Sequence, residues 1–438
     1  MPSTSKDRRS LAARLTREPR AAQLTLAISL VAVVWLYWDA MHPVFKDLDM
    51  YHRIGLGPYE GTYWKDPYWN TGPPFFQVFV MPVVVFYQLV PSVGMRLALV
   101  FFWNLALSIA VTSVSVRSLA ASIDDRGRTV IGPVPAVIYI CAWLCTLPLL
   151  RANFHLQQIN LVPTLLCVLA FARLGRRRDD SLAGVLTGLA ASIKVAPVVL
   201  LPYFWRRWRT LGAALATGAV LAVIPALIYG IPTLINAWRF WLFESIPAQK
   251  GAREILNISV PGLMHRLVDQ ADPASVREFN TVLLNLGPGW AEALGALIGF
   301  GAVALLYFAI WRGPKKRAPM ADLAVLLPAA NLAGAVAWQH HLVSLLPAYA
   351  LILIYLTSSS GGQRRKRAVA AMLGASLALS YLQFLHGPQA IRALWIGANA
   401  FGSVTISAYL AILAALLARN DNLYEPGTLT APATPQPS

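Results

Sequence analysis

The chain has 438 residues, of which 57% are hydrophobic and 13% charged, and it carries a formal net charge of +17. So apolar and charge-poor a composition excludes a soluble domain of this length. The basic excess does not indicate nucleic acid, because Lys and Arg fall in short runs at the ends of apolar blocks and no basic stripe carries interleaved aromatics.

In chain order, residues 1–20 are basic and read as a cytoplasmic N-terminus. Block 21–41 reads as a retained first helix, since no small-x-small cleavage site follows it closely. A polar loop, 42–73, leads to blocks 74–90, 97–119, 132–150, 158–173, 183–204 and 211–230. A second polar stretch, 231–293, precedes blocks 294–311, 320–337, 342–357, 367–385 and 395–417. The tail 420–438 is rich in Pro, Thr and Ala and reads as disordered. Each block is apolar all round and suits a hydrocarbon core of roughly 30 Å. The expectation is an all-α polytopic membrane protein with a transmembrane domain over 21–419. It would have about 10–12 transmembrane or re-entrant helices and two long outer loops, without an internal repeat. Cys141, Cys145 and Cys167 lie inside apolar blocks and read as packing residues; no second Cys/His pair completes a zinc site.

The basic runs set the topology. They are Arg176–Arg178, the Arg206/Arg207/Arg209 group, Lys315–Arg317 and Arg364–Arg367. Simple alternation of the blocks would place the Arg176 run outside. The positive-inside bias is restored if 74–150 makes two net crossings and 183–204 enters and leaves on one side, with Pro197 and Pro202 breaking its helix. The N-terminus is then cytoplasmic, and the polar loops, with the active site, gather on the outer face of a cell membrane.

Several polar clusters could carry chemistry. The first loop sets Asp47 and Asp49 beside Tyr51, followed by Glu60 and Asp66 among Tyr59, Tyr63, Trp64, Tyr68 and Trp69. Aromatic faces beside carboxylates suit sugar rings, although an interfacial aromatic belt would also account for them. Arg151 to Asn160 leads polar residues into an apolar block, with Gln158 and Asn160 at its end. Lys194 stands alone in an apolar run, where a lysine is costly without a partner or cavity. Asn257, Ser259, His265 and Arg266 cluster in the second loop, and Trp338, His340 and His341 mark a block boundary. Adjacent helical residues point about 100° apart and no carboxylate is near in sequence, so no metal is assigned to the histidines.

These clusters occur in an order that resembles glycosyltransferase family 87 of the GT-C superfamily. The matching pieces are Asp47-Leu-x-x-Tyr51, the paired prolines Pro73-Pro74 ahead of the second block, Gln158-Ile-Asn160, the run from Ala183-Gly184 through Gly188 to Lys194-x-x-Pro197, the Asn257/Ser259/Arg266 set and Trp338-x-His340-His341. Two positions depart from the family pattern: Gln157 stands where the family has glycine, and Gly72 where it often has tyrosine. The resemblance implies a polyprenyl-phosphate sugar donor, with mannose as the hexose, a lipid or glycan acceptor, surrounding membrane lipids and no cofactor. It implies an inverting displacement with Asp47 as general base and Asp49 as fallback. Lys194, Arg266, His340 and His341 would hold the phosphate, and Tyr51, Gln158, Asn160, Asn257 and Ser259 the sugar or acceptor. A flippase of lipid-linked sugars, or a GT-C enzyme using another lipid-linked sugar, stays open at this point. Asp47-Leu-Asp49 matches a metal-binding Asp-x-Asp only as a string, since it lies on a short loop between helices.

Overall fold

The computed structural model describes residues 19–42, 47–56, 72–124, 136–177, 179–246, 257–268, 286–313, 318–334, 336–358, 362–381 and 400–424. The aromatic and acidic residues from Tyr59 to Trp69, the Lys315–Arg317 run and the loop 386–394 lie outside them, as does the side chain of Arg266. The chain is an all-α membrane protein, and no strand occurs among the described residues.

Six of its helices are long and apolar enough to cross a membrane among the described residues, or seven when one bent pair counts as a single span. They include α1 (Pro19–Ala40), α4 (Val93–Asp124), α9 (Trp208–Tyr229), α12 (Pro288–Arg312) and α16 (Ala400–Tyr424). The sixth joins a 3-10 segment, Gln339–Leu345, to α14 (Leu346–Thr357). The bent pair is α5 (Ala136–Cys145) and α6 (Leu147–His155), which meet at 62° across Thr146. Shorter apolar helices are α3 (Phe75–Leu89), α7 (Leu161–Arg176), α8 (Ser181–Ile193) and α13 (Pro319–Ala333). Helix α15 spans Gln363–Tyr381.

The stretches expected as polar loops contain helices of their own. Helix α2 (Asp47–Leu56) lies in the first, and α10 (Ile231–Phe240) and α11 (Val260–Val268) lie in the second. Pro232 at the start of α10 fits the first helical turn, where its missing N–H costs nothing. The last helix runs on to Tyr424, into the segment read as a tail.

Helix α13 is the axis of the assembly. Almost all of its residues are buried, which suits a helix apolar on every side, and it packs on α7, α12, α14 and α16. Its one acid, Asp322, is fully buried; it accepts from Arg419 Nε at 2.5 Å and from Tyr203 Oη at 2.6 Å. By contrast α1, α9 and α12 expose large apolar side chains such as Val31, Trp38, Leu227, Leu297 and Leu305, as a surface facing lipid would.

The segment 183–204 folds as a hairpin. Asp180 caps α8 by accepting from Ala183 N–H at 3.1 Å, and the helix ends at Lys194, whose backbone is extended. A 3-10 segment, Ala196–Phe204, with Pro197 and Pro202, carries the chain back to α9. Thr210, near the start of α9, donates to Asp179 Oδ1 through its backbone N–H at 2.9 Å and its hydroxyl at 2.6 Å, so both ends of the hairpin lie together. Gly184 meets Thr210 and Gly188 meets Ala214, so α8 and α9 run parallel through a pair of glycines four residues apart.

Candidate functional site

The site starts at the first turn of α2. Asp47 and Tyr51 are four residues apart and share a helix face, and both reach Gln158. Gln158 Nε2 donates to Asp47 Oδ2, while Tyr51 Oη donates to Gln158 Oε1 at 2.8 Å. Asn160 Nδ2 donates to the same Oε1 at 3.3 Å. Behind them Asn153 Nδ2 donates to the Gln158 carbonyl at 3.2 Å and to Asn104 Oδ1 at 3.1 Å. A buried amide network thus fixes the orientation of Asp47. Burial pushes the Asp47 carboxyl up to about 6, with the nearby Lys194 charge pulling the other way.

Asp49 is two residues on and so points to another side of α2. It accepts from Tyr87 Oη on α3, and the Arg96 guanidinium lies 4.0 Å over that ring. The two acids of the loop therefore occupy separate environments, and only Asp47 joins the amide network.

Lys194 sits at the break of the hairpin. Its Nζ stands 2.7 Å from His341 Nε2, and Trp338 N–H donates to His341 Nδ1 at 3.2 Å. With Nδ1 accepting from the backbone, Nε2 is the edge of the ring that faces the lysine. His340 is buried against Trp338 and His341. Asn331 Nδ2 donates to the His341 carbonyl at 3.2 Å and to Ser344 Oγ at 2.8 Å, anchoring the histidine segment to α13. Asn160, Thr164, Lys194, Asn331 and His341, with Pro163, Pro197 and Leu327, line a small cavity of about 20 Å³. Asn160 touches both ends of the site, since it also bonds Gln158 beside Asp47.

A second cavity, of about 350 Å³, is lined by residues before and after the hairpin break. Its walls are apolar and include Phe75, Ala191, Val198, Leu215, Trp238 and Trp241, with Ser192 and Val195 flanking Lys194.

Asn257 and Ser259 are engaged with backbone. Asn257 Oδ1 accepts from Ser259 N–H at 3.1 Å and Ala337 N–H at 3.0 Å; Ser259 Oγ caps α11 by accepting from Gly262 N–H at 3.0 Å. They join α11 to the stretch of chain just before Trp338. Among the described residues no three His, Cys, Asp or Glu side chains gather as they would around a metal ion.

Sequence reading did not single out three residues of this region. Asp39, at the end of α1, accepts from Arg151 Nε and Nη2 at 3.1 and 2.8 Å and stands 3.1 Å from His155 Nδ1. This ties α1 to α6, the helix that carries Asn153. A lone acid in the last turn of an apolar block was the available signal. Asn104 and Asn331 gave none, because their meaning lies in distant partners. Gln157, which stands in sequence only as a replacement for the family's glycine, holds φ at +55° while buried, and neither Oε1 nor Nε2 has a hydrogen-bond partner. A left-handed backbone costs an L-residue about 1–2 kcal/mol and glycine almost nothing.

Residues 70–334 match the sequence pattern that defines glycosyltransferase family 87. Asp47, Tyr51 and the histidine pair fall outside that match. A polyprenol-phosphate-mannose-dependent alpha-(1-2)-phosphatidylinositol mannoside mannosyltransferase of Mycolicibacterium smegmatis is 24% identical over 375 residues, 81% of this chain and 79% of the relative. A polyprenol-phosphate-mannose-dependent alpha-(1-2)-phosphatidylinositol pentamannoside mannosyltransferase of the same species is 28% identical, over 76% of this chain and 75% of its own. A protein of that second description from Mycobacterium tuberculosis is 25% identical over 82% of this chain and 76% of its own. No solved structure matches the chain.

Proposed function

Because this chain belongs to glycosyltransferase family 87, we propose that it transfers a mannosyl group from polyprenyl-phosphate-mannose to a mannose-bearing inositol lipid, with inversion and with Asp47 as general base. The observation that carries the reading is the junction at Asn160. On one side of it stands a carboxylate oriented by Gln158, and on the other a cavity edged by Lys194 and His341.

The chemistry follows from those two ends. The acceptor hydroxyl oxygen attacks the anomeric carbon of the donor sugar as its proton passes to Asp47. The bond from that carbon to the phosphate oxygen breaks, and its electron pair leaves with the polyprenyl phosphate. That leaving group is stable as an anion, so a single carboxylate suffices, unlike the two of a glycosidase. Lys194, held beside the His341 ring, offers N–H groups to the oxygen on which charge builds. A carboxyl raised to about 6 is a better proton acceptor than an ordinary aspartate and is still ionised at neutral pH. The apolar cavity beside Lys194 would take isoprene units of the donor, keeping its phosphate near the Lys194 ammonium. We place the N-terminus in the cytoplasm and the site on the outer face of the cell membrane, a reading that the distribution of basic runs supports.

The test is mannosyl transfer by the purified protein from polyprenyl-phosphate-mannose to a panel of phosphatidylinositol mannosides. Asp47→Asn should abolish product while Asp49→Asn retains most of the wild-type rate. A fully active Asp47→Asn with a dead Asp49→Asn would move the base to Asp49, and wild-type protein inert with every acceptor would refute the proposed substrates.

A further inference from the structure

Gln157 is the one described non-glycine residue with a left-handed backbone. Its side chain is also buried, at 3% exposure, with both amide atoms unpartnered. Neighbouring amides behave otherwise: Asn153, Gln158 and Asn160 are all engaged in the network around Asp47. Buried polar groups are normally satisfied, and strained backbone persists where the surroundings fix it, commonly beside a ligand. Gln157 also stands at the right place in the chain. It directly precedes the residue that orients the base, and it follows α6, which packs on the segment carrying His340 and His341.

We propose that the side-chain amide of Gln157 is a specificity-determining contact to sugar hydroxyls, those of the transferred mannosyl group or of a mannose on the acceptor. The proposal deepens the function given above and rests on it for the identity of the sugar. A primary amide offers two N–H donors and one carbonyl acceptor side by side. A pair of neighbouring pyranose hydroxyls supplies one acceptor and one donor and meets both. A phosphate or carboxylate has only acceptors and would leave Oε1 unmet, and an acyl or isoprenoid chain would leave both atoms unmet.

The experiment compares full-length wild type with Gln157→Gly in detergent. Glycine removes the amide and adopts the observed backbone without strain, so thermal stability should equal or exceed that of the wild type. Binding is titrated with polyprenyl-phosphate-mannose, with polyprenyl phosphate lacking sugar, and with a phosphatidylinositol mannoside. Losing a hydrogen-bonded pair should weaken either the mannosylated donor or the mannoside acceptor by about fivefold or more, and leave bare polyprenyl phosphate unchanged. The ligand affected identifies which sugar Gln157 holds. Unchanged affinity for both sugars, equal weakening for bare polyprenyl phosphate, or a lower melting temperature would overturn the proposal. Because the readout is binding, the result does not depend on turnover. Wild-type protein that binds both ligands without transferring mannose refutes the transferase reading alone, and protein that binds neither refutes both.

Discussion

Gly184→Ala tests how the hairpin delivers Lys194. A Cβ at Gly184 would stand 2.1 Å from the Thr210 carbonyl oxygen and 2.9 Å from Ala213 Cβ. Carbon and carbonyl oxygen normally approach to no less than about 3.3 Å, so α8 and α9 must separate by about 1 Å. The obstruction is backbone, which no rotamer change relieves. Overpacking of this kind costs about 1–3 kcal/mol. The same displacement is passed along α8 to Lys194 at its end, and if Lys194 acts as proposed, a misplacement of about 1 Å should lower the rate by about a hundredfold. Gly212→Ala is the control, since its Cβ would meet nothing within 4 Å. It should be neutral or stabilising by about 0.5–1 kcal/mol through helix propensity alone. Thermal unfolding in detergent and kcat/KM for mannosyl transfer read both effects. A Gly184→Ala protein as stable and active as wild type, or a Gly212→Ala protein equally damaged, would refute this account of the hairpin.

Two further outcomes follow from the charges. Because burial raises the Asp47 carboxyl to about 6, the inactive protonated form accumulates below that pH. The acid limb of kcat/KM should therefore fall about tenfold per pH unit below about 6, and activity flat down to pH 4 would remove Asp47 from the role of base. Asp322→Asn or Arg419→Met alone should destabilise by about 3–5 kcal/mol, each leaving a fully buried partner uncompensated, while the Asp322→Leu/Arg419→Met double variant should recover most of that loss. Melting temperatures of the three proteins check it; a double variant as unstable as the worse single one would be the contrary result.

Much of the architecture was legible because a lipid-facing or central helix must be apolar along its length, and such helices stand out in sequence. The return of 183–204 was legible for a different reason, since two prolines and basic residues at both ends constrain a short block. Helices α2, α10 and α11 were not, because each is short and lies in a polar stretch where packing decides. In the site, Asp47, Tyr51, Gln158, Asn160, Lys194 and His341 converge. The resemblance ranks Asp47 above Asp49, and the structure separates their surroundings: Asp47 accepts from Gln158 within the amide network, while Asp49 accepts from Tyr87. Asn257 and Ser259 carry the residue types of a sugar site, yet their oxygens meet backbone N–H groups that sequence cannot locate. Asp39 acquires its meaning from Arg151, 112 positions away.

The contact between Lys194 and His341 spans 147 positions of the chain, and that separation orders events during synthesis. At about 5–20 residues per second, the ribosome completes the lysine on the order of ten seconds before its imidazole neighbour exists. Through that interval an ammonium group must be lodged in apolar surroundings, where it is costly. Asp47 has already emerged, and its carboxylate is the opposite charge that lies near Lys194 in the finished fold. Asp179 and Thr210 hold the two ends of the hairpin together, and both precede His341 in the chain. The pairing of Lys194 with His341 is therefore a late event in the building of this protein, and the Asp47 charge is available to the lysine first.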